Sequence, residues 1–250
     1  MQINPESSSA ISSLGNVLKF KGKLTEALAH YKRALKLNVN QPNTLMELMN
    51  TKLACCDWEN YDEYFQHLVN VVTAQVQRGE LPCADPFNIF MMNFTSEQKF
   101  EIARLYSEHI KQRTLQGLQA IGEPVPQFSF QGSFGMGMIG SFGNKIRLGY
   151  ISYDFADHPL AHLLQSIFQL HDRSKFHVVA FSLRESDNSS YRQSIQQGCD
   201  EFIQVPQGLN AANLASFINS KNIQILFNLN GWTNGHRTDV FTLRPAPIQI

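Results

Sequence analysis

Two acids, two histidines and a proline share the nine residues 154–162, DFADHPLAH. His158 and His162 are four apart, which places both on one helix face, and Asp154 and Asp157 add oxygen donors for a metal. The zinc-peptidase form of that spacing carries Glu directly after the first His, and here Pro159 stands in that place. A histidine at a loop apex can also give or take a proton near neutral pH. His158, just ahead of a helix-like stretch, has that position. The same residues also make an ordinary strand-to-helix turn, with Asp157 as the cap, Pro159 in the first turn and His162 packed on a sheet. A second polar stretch, NLNGWTNGHRTDVF, holds Asn228, Asn230, Gly231, Thr233, Gly235 and Arg237. Its glycines permit tight backbone at a strand end, and its amides and hydroxyl suit sugar hydroxyls or peptide amides. Arg237 has two structural alternatives, capping a helix or pairing with Asp239.

The elements around these stretches decide where they sit. From Lys145 onward the chain alternates: KIRLGYISY as a strand, HLLQSIFQLH as a helix, FHVVAFSL, SSYRQSIQQGC, EFIQVP, NAANLASFINSKN opening at an Asn cap, IQILFNLNG, and APIQI starting another strand. Such alternation predicts βαβ units, a parallel sheet and a Rossmann-like lobe. Loops at the carboxyl ends of its strands build the crevice, and both polar stretches fall on such loops. Tyr150, Phe155 and Phe168 read as core. No G-x-G-x-x-G follows the first strand, so a free-standing dinucleotide-binding protein is disfavoured.

The first part of the chain is helical. Leu14, Leu18, Leu24, Ala27, Leu28, Tyr31, Ala34 and Leu35 recur at helix spacing, and FKGKL breaks the pattern at Gly22. The result is a hairpin of two helices whose small residues Gly15 and Ala27 allow close packing. Its length and order resemble a tetratricopeptide repeat, with Ile11 replacing the leading aromatic and Val39 standing at the usual terminal proline. Pro5 reads as the tail of a preceding repeat, because one repeat cannot bury both faces. Helix patterns continue to about residue 121, with Asp57 and Asn60 as candidate caps around Trp58. Residues 122–144 are rich in Gly, Ser and Phe and read as a linker. The Gly135-Met136-Gly137 run within it lacks the strand and helix that a phosphate loop requires.

Composition narrows the class. Apolar residues are 43% of the 250, and 21 basic residues balance 21 acidic ones. A neutral chain gives no electrostatic reason to expect nucleic acid or an anionic membrane as partner, and no apolar run reaches the ~18 residues of a membrane span. Cys55, Cys56, Cys83 and Cys199 have no metal or redox spacing and read as reduced thiols.

Taken in order, the hairpin, CDWENYDEYFQHLVNVV, LGYISYDFADHPLAHLLQSI and ILFNLNGWTNGHRTDVFTLRPAPIQI resemble the tetratricopeptide-containing protein O-linked N-acetylglucosamine transferases, over nearly the whole chain and most weakly between residues 86 and 144. A relative of that family transfers fucose, and the DHPLAHLLQS wording sits closer to the N-acetylglucosamine enzymes. The resemblance implies a two-lobed GT-B fold with a helical N-terminal part. Its divisions fall at 1–53 (tetratricopeptide-like hairpins), 54–121 (helical connector), 122–144 (linker) and 145–250 (N-terminal Rossmann-like lobe). It implies inverting transfer from UDP-N-acetylglucosamine to Ser or Thr hydroxyls of proteins in cytoplasm and nucleus, with no cofactor, no metal and no nucleic-acid or membrane partner; it sets no oligomeric state. His158 becomes the catalytic candidate, and Asp154, His162, Asn230, Gly231, Thr233 and Arg237 the substrate-binding ones. Where relatives carry acidic or His side chains ahead of the fourth strand, this chain has Lys221 and Gln224. The family's second lobe, with most UDP contacts, is not among these 250 residues, so the chain is expected to be a fragment with half an active site. The alternative is a non-catalytic peptide-binding protein.

Overall fold

The computed structural model describes residues 7–130 and 145–250. The readings of Pro5, of the Gly135–Gly137 run and of linker residues 131–144 lie outside them. The chain divides into two compact units, Met1–His109 and Ile110–Ile250.

The first unit is all helical. Helices α1 (Ser8–Phe20) and α2 (Leu24–Leu37) form the expected hairpin, with Gly22 in the turn at φ 74°. Gly15 lies against the Tyr31 ring so closely that a Cβ there would stand 2.6 Å from it. This is the close approach that a glycine was expected to provide. Ala27, Tyr31 and Ala34 are fully buried, and Ile11 fills the position of the missing aromatic. Helices α3 (Pro42–Cys55) and α4 (Tyr61–Gln77) continue the stack. Asn60 occupies the N-cap position of α4 but makes no side-chain cap bond; its φ of 51° turns the chain instead. Asp57 accepts from the Glu59 N–H and meets the fully buried Lys52 ammonium at 2.9 Å, fastening the α3–α4 turn. Helix α5 (Ser96–Ala120) begins in this unit and ends in the second.

The second unit holds the sheet. Strands β1 (Ile146–Ser152), β2 (Phe176–Ser182), β3 (Glu201–Gln204), β4 (Ile225–Asn228) and β5 (Ile248–Gln249) are all parallel, in the order β3-β2-β1-β4-β5. Between them run α6 (Pro159–Leu164), α7 (Ile167–Leu170), α8 (Ser190–Gly198), α9 (Ala211–Asn219) and α10 (Thr238–Phe241). The stretch read as one helix, HLLQSIFQLH, is thus two short helices with a turn at 165–166.

Strand alternation assigns side chains to two faces. Leu148, Tyr150, Val178 and Ala180 pack with Phe155, Phe168 and Ile195 on one face. Ile151, Val179, Phe181 and Leu226 pack with α9, α10 and Leu118 of α5 on the other. Both faces are covered, which is why β1 and β2 are buried along almost their whole length. Among the described residues no helix is long and apolar enough to cross a membrane.

Candidate functional site at the switch point of the sheet

The strand order reverses direction between β1 and β4: β1 leads outward to β2 and β3, whereas β4 leads the other way to β5. In open parallel sheets the ligand crevice lies outside the carboxyl ends of the two strands at such a reversal. The two loops there are the two polar stretches of the sequence, residues 153–158 and 229–237.

The first loop is shaped by Pro159. A residue before proline is held extended, and His158 has φ −150° and ψ 146°. Pro159 takes the first helical position of α6, where its missing N–H costs nothing. His158 is therefore the N-cap, and its Nδ1 accepts the Leu160 N–H at 3.2 Å. This corrects the assignment of the cap to Asp157, whose carboxylate instead meets His162 Nε2 at 2.7 Å. His162 also lies against the Tyr191 ring, 4.1 Å between centroids, and not on the sheet.

The cap bond fixes the imidazole chemistry. Only a nitrogen with a free lone pair can accept an N–H, so neutral His158 carries its proton on Nε2. Its side chain is 40% exposed, and Nδ1 stands 3.8 Å from Asp154 Oδ2.

Asn230 joins the two loops. Its Nδ2 donates to Asp154 Oδ2 at 2.6 Å and to Thr233 Oγ1 at 3.0 Å, while its Oδ1 accepts the Tyr153 N–H at 2.7 Å. Asp154 and Asn230 are each 5% exposed. Asn228 Oδ1 accepts the N–H groups of Asn230 and Gly231, and Thr238 Oγ1 donates to the Gly231 carbonyl at 2.8 Å. Gly231 (φ 55°) and Gly235 (φ 78°) supply left-handed backbone. At Gly235 a Cβ would also stand 2.4 Å from the Tyr153 ring. That ring lies under the Arg184 guanidinium at 5.3 Å.

Of the site residues read from sequence, Asp154, His158, Asn230, Gly231 and Thr233 form one cluster. Two others are engaged elsewhere. His162 pairs with Asp157, and Arg237 makes a forked ion pair to Asp239 at 3.0–3.1 Å. Arg237, His236 and Asp239 line a cavity of about 470 Å³ together with Arg113 and Asn210. Burial pushes the His236 imidazole below its ordinary range, and Asp239 opposes part of that shift. Among the described residues no group of three His, Cys, Asp or Glu could hold a metal ion. Lys221 and Gln224 lie at the opposite edge of the sheet. The Lys221 carbonyl accepts from Arg147 Nε and Gln224 Oε1 from the Arg147 N–H, at the amino ends of the strands.

Sequence reasoning missed the residues that hold the first loop from its far side. Arg192, 2% exposed, donates through Nη1 to the Phe155 carbonyl at 2.9 Å and Ser182 Oγ at 2.8 Å, and through Nη2 to Gln204 Oε1 at 2.7 Å. Asp187 accepts the Asp157 N–H at 2.6 Å. Neither residue lies in a recognisable motif; the one legible signal was an arginine placed inside an otherwise polar helix.

Comparison with known proteins agrees with this geometry. Residues 55–250 match the model of glycosyl transferase family 41. An Arabidopsis thaliana protein named as a probable UDP-N-acetylglucosamine–peptide N-acetylglucosaminyltransferase, SEC, is 32% identical over 81% of this chain and 20% of its own length. The Caenorhabditis elegans UDP-N-acetylglucosamine–peptide N-acetylglucosaminyltransferase is 32% identical over 78% of this chain and 16% of its own. The chain thus spans about one-fifth or less of these relatives. A solved structure of an O-GlcNAc transferase mutant from Thermobaculum terrenum matches 99% of this chain and 44% of that one at 20% identity and a TM-score of 0.58, a likeness of fold. A matched family model over most of the chain, with the expected GT-B-type lobe and its crevice, leads to one conclusion: the chain belongs to glycosyl transferase family 41.

Proposed function

We propose that this chain supplies one lobe of an inverting enzyme that moves N-acetylglucosamine from UDP-N-acetylglucosamine to Ser or Thr hydroxyls of proteins. The observation that carries the reading is the Asp154–Asn230–Thr233 network, which ties the two switch-point loops into one rigid wall beside His158. Names of the relatives supply the donor and the peptide acceptor. The helical hairpin, read as tetratricopeptide-like, is the surface for protein acceptors, and the compartments are cytoplasm and nucleus. No metal or cofactor is assigned a role.

His158 acts as a hydrogen-bond donor in this scheme. With Nδ1 held by Leu160, it offers Nε2–H to a substrate oxygen and leaves removal of the acceptor proton to another group. Asp154 and Asn230 keep the wall in place, so that acceptor and sugar meet in a near-attack arrangement. Thr233 Oγ1 and the Gly231 backbone shape the floor.

The test uses the protein purified from its own cells, unaltered or with His158→Ala, supplied with UDP-N-acetylglucosamine and Ser-containing peptides. Loss of one donor to the reacting centre is expected to lower kcat by about 10²-fold. Unchanged kcat removes His158 from the reaction. Transfer of fucose in place of N-acetylglucosamine assigns the donor to the relative's chemistry, and peptide binding without any transfer establishes the non-catalytic alternative.

A further inference from the structure

The segment entering α8 touches the His158-bearing loop at three points. Arg192 holds the Phe155 carbonyl, Asp187 Oδ2 holds the Asp157 N–H, and the Tyr191 ring lies against His162. The segment is itself braced. Asp187 Oδ1 accepts the Ser189 N–H at 3.1 Å, and Ser189 Oγ accepts the Arg192 N–H at 3.3 Å. Arg192 also stacks over Phe202 at 4.9 Å. The loop has one internal backbone bond, Ala156 N–H to the Asp154 carbonyl. Asn230 fixes its start, and nothing but the α8 segment fixes residues 155–157 just ahead of His158.

We propose that Asp187 and Arg192 are positioning residues for the transfer reaction. They hold the backbone of residues 155–157 so that His158 stays extended, with Nδ1 on Leu160 and Nε2–H free for substrate. This inference rests on the function proposed above. Asp187 is central because its bond falls on the residue next to His158. If the Asp157 N–H were released, the cap geometry would relax. Nδ1 could then swing the 3.8 Å toward Asp154 and the fixed tautomer would be lost.

Two measurements test it. The first is nitrogen NMR of the 250-residue chain with labelled histidine, in which the His158 signals are those missing from His158→Gln. The unaltered chain is expected to show a single tautomer protonated on Nε2. Asp187→Ala is expected to show two exchanging tautomers, and Asp187→Asn, which keeps an oxygen for the Asp157 N–H, to restore one. The second is turnover of the cellular protein. Asp187→Ala is expected to lower kcat by about 10-fold, since small misplacements of reacting groups cost one to two orders of magnitude. KM for UDP-N-acetylglucosamine should stay within about twofold, and Asp187→Asn should recover most of the rate. An unaltered tautomer and kcat in Asp187→Ala overturn the positioning while leaving the function standing. A tautomer that follows Asp187 in a protein that transfers no sugar overturns the function and leaves the control of His158 in place. Arg192→Lys serves as the second variant: it retains charge but cannot span the Phe155 carbonyl and Gln204 together, and is expected to behave like Asp187→Ala. If Arg192→Lys keeps one tautomer and full kcat, Arg192 has no positioning role.

Discussion

Replacing Asn230 with alanine removes the link between the two loops and strands two groups. The Tyr153 N–H loses its acceptor and the 5% exposed Asp154 carboxylate loses its closest donor. An unsatisfied buried group costs roughly 1–3 kcal/mol, more when charged. The crevice lets water reach part of the site, so about 1 kcal/mol for the amide and about 2 for the carboxylate is a fair sum, about 3 kcal/mol in all. With a urea slope of about 2 kcal/mol/M, the midpoint of the second unit should fall by about 1.5 M. The chain has two tryptophans, Trp58 in the first unit and Trp232 in the second loop itself. A Trp58→Phe background therefore makes fluorescence report the unit that carries the site. Removing the stranded charge as well should recover part of the loss. Asp154→Ala combined with Asn230→Ala should cost about 2 kcal/mol less than the two single changes added together, the sign expected of a coupled pair. A single-mutant loss below about 1 kcal/mol, or additivity within about 0.5 kcal/mol, would refute the claim that this network is what holds the wall.

Two glycines separate backbone strain from steric exclusion. Gly208→Ala meets only the left-handed penalty of about 1–2 kcal/mol, because its φ is 79° with open space around it. Gly235→Ala meets the same penalty plus the Tyr153 ring 2.4 Å away, and is expected to cost at least about 1 kcal/mol more, measured as the difference in urea midpoints. Acid should release the His158 loop in a defined window. Burial raises the Asp187 carboxyl, but the N–H donors of Asp157 and Ser189 outweigh that and hold it at about 2, below its ordinary 3.8. A depressed carboxylate contributes fully above its unfolded value and loses its contribution as pH falls through its folded one. The single His158 tautomer environment should therefore persist to about pH 4 and be lost toward pH 2, and Asp187→Asn should abolish that dependence in the same NMR experiment.

Much of the fold was legible because it is local. Helix spacing in residues 8–37 with a glycine between predicts the hairpin, and the only partner Gly15 needed was Tyr31 on the neighbouring helix. The alternation after Lys145 predicts a parallel sheet, since a crossover helix between consecutive strands leaves few other arrangements. Both polar loops therefore fall on the carboxyl edge without any coordinates. The position of Pro159 also contained the extended geometry of His158. What it did not contain was the choice of cap. Asp157 is the better capping residue by type, yet its carboxylate is drawn to His162 and its N–H to Asp187, leaving His158 to accept from Leu160.

The remaining decisions belong to the tertiary structure. Asp154 and Asn230 are 76 positions apart and meet at 2.6 Å only because β4 pairs with β1 on the side away from β2. Arg237 was as polar and as close to the loop as Thr233, but Asp239 captures it and turns it toward a different cavity. Arg192 and Asp187 carried no pattern at all, because a buried guanidinium acquires its meaning from the carbonyl it meets, here one 37 positions earlier. Sequence alone settled which residue types stand at the strand ends. Which of them share hydrogen bonds, and thereby a tautomer and a direction, was decided by strand order, which hydrophobic spacing along one chain does not encode.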